Sequence, residues 1–162
     1  MPVRRATVAD AEAISEIYNR EVTETTATLD LVPRTVPEQR RWIQDRSGGL
    51  AVVVAEDGEY EVVGFASLSF YRDRPGYRTS VEDSVYVARG HQGAGIGSQL
   101  LSELIDVAAK HGFHAMFARI VGPREASVVL HERHGFRLVG IEREVARKFG
   151  RWHDVALMQL LL

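Results

Sequence analysis

Two hydrophobic periodicities take turns along this chain, and their boundaries divide it into elements. Residues 3–6 read as a short strand, and Thr7 with Asp10 has the spacing of a helix capping box. Ala13, Ile14, Ile17, Tyr18 and Val22 then recur at helical spacing until the polar, β-branched run 23–28 ends the helix. Residues 25–34 form a connection placed to line a pocket. Thr35 and Glu38 repeat the capping signature for a second helix, which carries Trp42 and Ile43 and stops at Gly48-Gly49. The nearly unbroken apolar run 50–55 predicts a buried strand. Asp57-Gly58 turns it into a returning strand over 62–71.

Beyond the polar loop 72–80, Val81, Val85 and Val87 alternate with Glu82, Ser84 and Tyr86, the period-two pattern of a strand. Ile96, Leu100, Leu101, Leu104, Ile105 and Ala108 make one apolar face of a third helix. Lys110-His111-Gly112-Phe113 is a basic last turn followed by a glycine stop. A strand at 114–121 follows. A fourth helix opens at Pro123, Arg124 and Glu125, turns Ala126, Val129 and Leu130 inward, and ends in a second stop, Arg133-His134-Gly135-Phe136. Strands at 138–145 and 155–161 close the chain, joined by a connection over 146–154. The order β-α-α-β-β-β-α-β-α-β-β predicts one mixed α/β (α+β) domain over 1–162, with a single sheet and helices on both faces.

Composition narrows the class. A length of 162 residues suits one domain with its own core, and a net charge of −2 offers no electrostatic footprint for nucleic acid. There is no cysteine, so disulfides, thiolate metal sites and a cysteine nucleophile are excluded. Without the apolar run of a signal peptide or a membrane span, the expectation is a soluble, cytoplasmic protein.

The candidate chemistry gathers at the junction of the 81–87 strand and the third helix. Between them lie Gln92, Gly93, Ala94, Gly95, Ile96 and Gly97. The first amides of a helix lack internal partners and sit at the positive end of its dipole, so a glycine-rich turn there is suited to phosphate. A Walker loop is excluded, because the chain contains no Gly-Lys pair. A dinucleotide fingerprint does not fit, because Ser98 stands where its third glycine belongs.

The pattern Gln-x-x-Gly-x-Gly after a strand resembles the acetyl-CoA loop of the GNAT superfamily of N-acetyltransferases. The strand VEDSVYV, the loop HQGAGIG, the segment ASVVLHERHGF and the tail KFGRWHDVALMQL resemble, within it, the phosphinothricin and methionine sulfoximine acetyltransferases. The resemblance covers nearly the whole chain. It implies the GNAT fold, in which two neighbouring parallel strands, here 81–87 and 114–121, splay apart around acetyl-CoA. It further implies an acetyl-CoA-dependent enzyme, without a metal, that acetylates the α-amine of phosphinothricin, methionine sulfoximine or methionine sulfone. Because no cysteine can carry the acyl group, direct transfer in a ternary complex is expected.

Residue by residue, the resemblance implies that Glu82 is the general base and that His131 takes part in catalysis. Val85, Tyr86, Val87, Gln92, Gly93, Ala94, Gly95, Ile96, Gly97, Arg124 and Ser127 would hold the cosubstrate, and Arg72, Arg74, Tyr77 and Glu82 the acceptor. Read from the residues alone, Glu82 is either a base raised by its valine-rich strand or a solvent-facing carboxylate. Asp83 beside it suggests that acids are accommodated here without a role. His131 is either a proton carrier or a helix-end histidine. Arg72 and Arg74 are either carboxylate grips or a solvated loop. Arg89 and His91 could add charge near the phosphates. Arg124 departs from the asparagine usual in the resembled group. The tail implies a homodimer through the hairpin at 148–152, with Phe149 and Trp152 at or near the interface. The competing readings are acetylation of a protein N-terminus or an aminoglycoside, a non-catalytic acyl-CoA-binding module, and a nucleotide-binding regulatory domain.

Overall fold

Alternation of side chains along the strands divides the core into two. The computed structural model describes residues 2–122 and 125–162. In chain order these form β1 (Val3–Arg5), α1 (Ala11–Glu24), α2 (Val36–Gln44), β2 (Val52–Glu56), β3 (Val62–Phe70), β4 (Ser80–Val87), α3 (Ile96–Lys110), β5 (Ala115–Val121), α4 (Glu125–Arg133), β6 (Arg137–Lys148) and β7 (Arg151–Leu161). Short 3-10 turns at Val8–Asp10 and Pro75–Tyr77 complete the order, which is the one read from the sequence. On one face of the sheet, Leu100, Leu101 and Leu104 of α3 pack on Val53, Leu68, Val81, Met116 and Met158. On the other, Ile14, Tyr18 and Val22 of α1 and Ile43 of α2 pack on Val52, Val54 and Phe65. Strand β2 is therefore buried on both sides, which is why its sequence is continuously apolar rather than alternating.

The helix starts follow their capping signals. The Asp10 carboxylate accepts the Thr7 amide at 2.7 Å, and Thr35 and Glu38 exchange a reciprocal pair of hydrogen bonds. Helix α3 approaches the sheet closely at Gly64, where a Cβ would meet Ile96, Leu100 and the Tyr86 carbonyl, all at 3.1 Å.

The seven strands run in the order β1-β2-β3-β4-β5-β7-β6. Among the described residues only β4 and β5 are parallel, and their pairing covers just Ser80–Ala115, Val81–Met116 and Glu82–Phe117 before they diverge. The sheet thus forks immediately after Glu82, while β4 stays paired to β3 as far as Val87.

Two expectations are corrected. The connection over 146–154 shrinks to the tip of the expected hairpin: β6 and β7 run through the segment and turn at Phe149 and Gly150, with φ of 53° and 70°. That is the double left-handed geometry of a two-residue hairpin, which suits the twist of the flanking strands. On α4, Ala126 is exposed and Val129 and Leu130 are only half-buried; the buried residue of that helix is His131. The small and branched residues border an open cleft instead of the core.

Candidate active site

The fork in the sheet opens into a groove. Its larger part, about 730 Å³, is lined by β4, by the turn before α3 and by α4. A smaller part of about 370 Å³ reaches the α1 side and touches Ala27, Thr28 and Leu29 of the connection after α1. The two share Ala27, Val85, Tyr86, Arg119, Ile120, Val121 and Ser127, so the groove passes through the sheet.

Backbone direction follows from the ladder. The Ala88 amide donates to Val63 on β3, and the His114 amide donates to the Thr79 carbonyl on the β5 side. Alternation along β4 then turns the amides and carbonyls of Val85 and Val87 toward the fork, and those of Ser84 and Tyr86 toward β3. Past Glu82 no β5 partner meets that edge among the described residues. At the turn, Gly93 and Gly95 both have φ of 81°, a conformation that L side chains resist. Nothing lies within 4 Å of a Cβ built at either, so the backbone angle, not space, requires glycine. The Gln99 amide is the first to bond within α3, to the Gly95 carbonyl, which leaves the amides of Ile96, Gly97 and Ser98 at the open end of the helix.

Glu82 stands where the strands part. Burial raises its pKa above the usual carboxylate range, the Arg119 guanidinium pulls it back, and the neighbouring charges of Asp83 and Glu142 push it up again. Arg119 donates from Nε to Glu82 Oε1 at 3.1 Å and from Nη1 to Glu142 Oε1 at 2.7 Å.

His131 lies on the opposite face of β4. Its Nδ1 donates to the Ser127 carbonyl at 2.7 Å and its Nε2 donates to Asp83 Oδ1 at 2.9 Å. Burial alone would lower its pKa, but the Asp83 carboxylate and the Ser127 carbonyl outweigh that and raise it. Both ring nitrogens are engaged, and the residue is 3% exposed. Asp83 is thus a buried partner, not an incidental acid: the odd positions of β4 face α3 and α4, and a carboxylate there needs a cation.

Residues 3–157 match the acetyltransferase (GNAT) domain family. The chain belongs to the GNAT acetyltransferases. It is 46% identical over 157 residues to the phosphinothricin N-acetyltransferase of Streptomyces coelicolor, covering 95% of this chain and 92% of that one. It is 42% identical over 161 residues to the L-methionine sulfoximine/L-methionine sulfone acetyltransferase of Pseudomonas aeruginosa, covering 99% and 94%. Among solved structures, a ribosomal-protein-alanine N-acetyltransferase from Brucella melitensis superposes with a TM-score of 0.97 at 40% identity over the full length of both chains. A phosphinothricin acetyltransferase from Sinorhizobium meliloti in complex with AcCoA superposes with a TM-score of 0.96 at 38% identity, over 99% and 88%.

In this GNAT acetyltransferase the structure brings together Glu82, Val85, Tyr86, Val87, Gln92, Gly93, Gly95, Ile96, Gly97, Ser127 and His131 along one groove. Ala94 belongs to the same turn but does not line it. The Tyr86 ring stacks on Phe65 with centroids 5.1 Å apart, so it is a groove wall as well as core. Arg72, Arg74 and Tyr77 do not line the groove; the Arg72 guanidinium lies over the rings of Tyr71 and Tyr77. Arg89 is taken up by Glu24 at 2.5 Å, while His91 lines the groove. Arg124 lies outside the described residues. Sequence reasoning missed Arg119, Glu142 and the role of Asp83. The available signal was a lone arginine inside the apolar run AMFARIV, at the position two beyond the residue paired with Glu82.

Proposed function

We propose that this chain is an acetyl-CoA-dependent N-acetyltransferase for the α-amine of small amino-acid analogues, with phosphinothricin, methionine sulfoximine and methionine sulfone as first acceptors. The observation that carries the reading is the fork after Glu82, which sets a half-buried carboxylate, the free edge of β4 and the open amides of α3 along one groove. The groove fits the cosubstrate in kind: an anion-favouring helix end for a diphosphate, followed by strand backbone with unpaired hydrogen-bonding groups. The names of the relatives and of the Sinorhizobium complex support the same choice.

Acetyl-CoA, when bound, supplies an acetyl group activated as a thioester. The turn residues from Gln92 to Gly97 hold its diphosphate. The backbone of Val85 and Val87 would align the arm, and the Val87 amide would be the donor available to the acetyl carbonyl oxygen. Glu82, directly or through water, would take a proton from the acceptor's ammonium group, freeing the nitrogen lone pair to form the C–N bond as the C–S bond breaks; CoA would leave as a thiolate and take up the second proton that the nitrogen sheds on acylation, giving the free thiol. Raising Glu82 by burial serves this step, because an ordinary carboxylate is too weak a base. His131 has no free nitrogen for proton transfer, and we assign it with Asp83 to fastening α4 against β4, so that Ser127 and Leu130 keep their places in the groove wall. The transfer takes place in a ternary complex, in the cytoplasm, and inactivates toxic amino-acid analogues. The same reading includes a homodimer. Leu138, Val139, Ile141, Val145, Phe149 and Trp152 are exposed along the edge strand β6 and its hairpin, whereas Lys148 turns inward, donating to the Thr28 carbonyl at 2.8 Å.

The test is release of free CoA thiol over a panel of amines. Glu82→Gln lowers turnover by about 100-fold or more while acetyl-CoA binding is retained; unchanged turnover would reject the base. The Brucella structure favours one second reading, an N-terminal alanine acceptor. Faster thiol release with an alanine-led peptide than with the three analogues would select it.

A further inference from the structure

We propose that Arg119 is a positioning residue for the reaction: it holds the Glu82 carboxylate at the fork of the sheet, and Glu142 holds Arg119. The inference rests on Glu82 being the base.

The geometry begins with the pairing of Glu82 with Phe117, the last rung between β4 and β5. Arg119 lies two residues on, so its side chain emerges on the same face of the sheet as Glu82, just past the rung. A glutamate there, beside an open groove, has several rotamers of similar energy. The bond from Arg119 Nε to Oε1 selects one of them. Among the described residues no protein donor reaches Oε2, so that oxygen is the one left to receive a proton. The guanidinium is fixed in turn by Glu142, which reaches it from β6 across β7. Arg119, Glu82 and Glu142 are all part-exposed along the smaller part of the groove.

The charges explain why a single arginine carries two carboxylates. An unshared guanidinium on Glu82 would stabilise its ionised form and weaken it as a base. Glu142 shares that positive charge and adds a negative one nearby. The titratable groups facing this part of the groove are Tyr18 from α1, Asp83 and Tyr86 from β4, Arg119 from β5, His131 from α4 and Glu142 from β6. Asp83 also pushes Glu82 up, but it stays paired with His131, and the two tyrosines are pushed up by burial, so changes made at Arg119 and Glu142 act on Glu82 against a constant background.

The experiment is the pH profile of kcat/KM for phosphinothricin in the wild type, Arg119→Gln, Glu142→Gln and Glu82→Gln. The acceptor's own amine titrates identically in all four, so differences between their acid limbs belong to the protein. Losing the guanidinium moves the acid limb of Arg119→Gln toward higher pH, with about tenfold lower kcat/KM at the acid end than the plateau loss accounts for. Losing the second carboxylate moves the limb of Glu142→Gln the other way. The KM for acetyl-CoA stays unchanged in both. Acid limbs that coincide with the wild type, or that shift in the same direction, overturn the proposal. If Arg119→Gln does not fold, Glu142→Gln and Arg119→Lys decide it: an acid-shifted limb for the first, with a wild-type limb and lowered kcat for the second, supports the proposal, and an unmoved Glu142→Gln limb overturns it. An active Glu82→Gln removes the base reading itself, whereas an inactive one with unmoved limbs removes only the role of Arg119.

Discussion

The buried pair of His131 and Asp83 shows how one residue's neighbours decide its use. A histidine near neutrality suits proton transfer, but this one gives both N–H groups away and sits against a carboxylate in a closed site. Its pKa is raised in the folded protein: burial, which favours the neutral ring, is outweighed by the Asp83 carboxylate and the Ser127 carbonyl. The sign of the linkage follows. Stability from the imidazolium is fully present below the unfolded value of about 6.5 and is lost as pH rises through the raised folded value. Asp83→Asn should therefore destabilise the protein by about 3 kcal/mol at pH 6, the usual scale for breaking a buried pair, and by less at pH 9. Urea unfolding at the two pH values measures this. A difference that does not change with pH would show that the ring is neutral in the folded state.

At the scale of elements, the junction of β4 and α3 depends on glycines for two separate reasons. Gly93 and Gly95 are needed for their left-handed backbone, which lets the chain reverse and start α3 with its first amides free. Gly64 on β3 is needed for space, since α3 lies directly on it. A Cβ at Gly64 meets two side chains and one carbonyl at once, and the carbonyl belongs to Tyr86 in the groove wall. Gly64→Ala is expected to cost about 1–3 kcal/mol and to lower the affinity for acetyl-CoA, because the helix must move away from the strand that shapes the groove. Thermal unfolding and a titration with acetyl-CoA check the two parts. A variant as stable as the wild type would show that α3 shifts freely.

For the whole molecule, the edge strand β6 and its hairpin expose a row of apolar side chains on a sheet edge, a surface that proteins rarely leave uncovered. In the proposed dimer Phe149 and Trp152 are central, so Trp152→Asp should weaken self-association by about 30-fold or more. Sedimentation at micromolar concentration measures it; a monomeric wild type removes the dimer. Lys148, in the same hairpin, instead ties β6 to the Thr28 carbonyl and so to the connection that walls the groove.

The order of elements, the two capping boxes, both glycine stops and the turn before α3 were legible in the amino-acid sequence, because each depends on neighbours within a few residues: helical or two-residue spacing, a cap three positions on, a glycine where φ must be positive. Glu82 was legible as a carboxylate on a valine-rich strand, but its choice as the base came from the resemblance to the family, not from local spacing. Only the fold could decide what lies across the sheet from what. Asp83 gained its meaning from a residue 48 positions away, and Arg119 from two residues 37 and 23 positions away. The hairpin at 148–152 was read from the sequence, but not that β6 and β7 stay paired up to the turn at Phe149 and Gly150. Local periodicity specifies the face on which a side chain lies. Its partner is set by strand order and register, which depend on the packing of the whole chain.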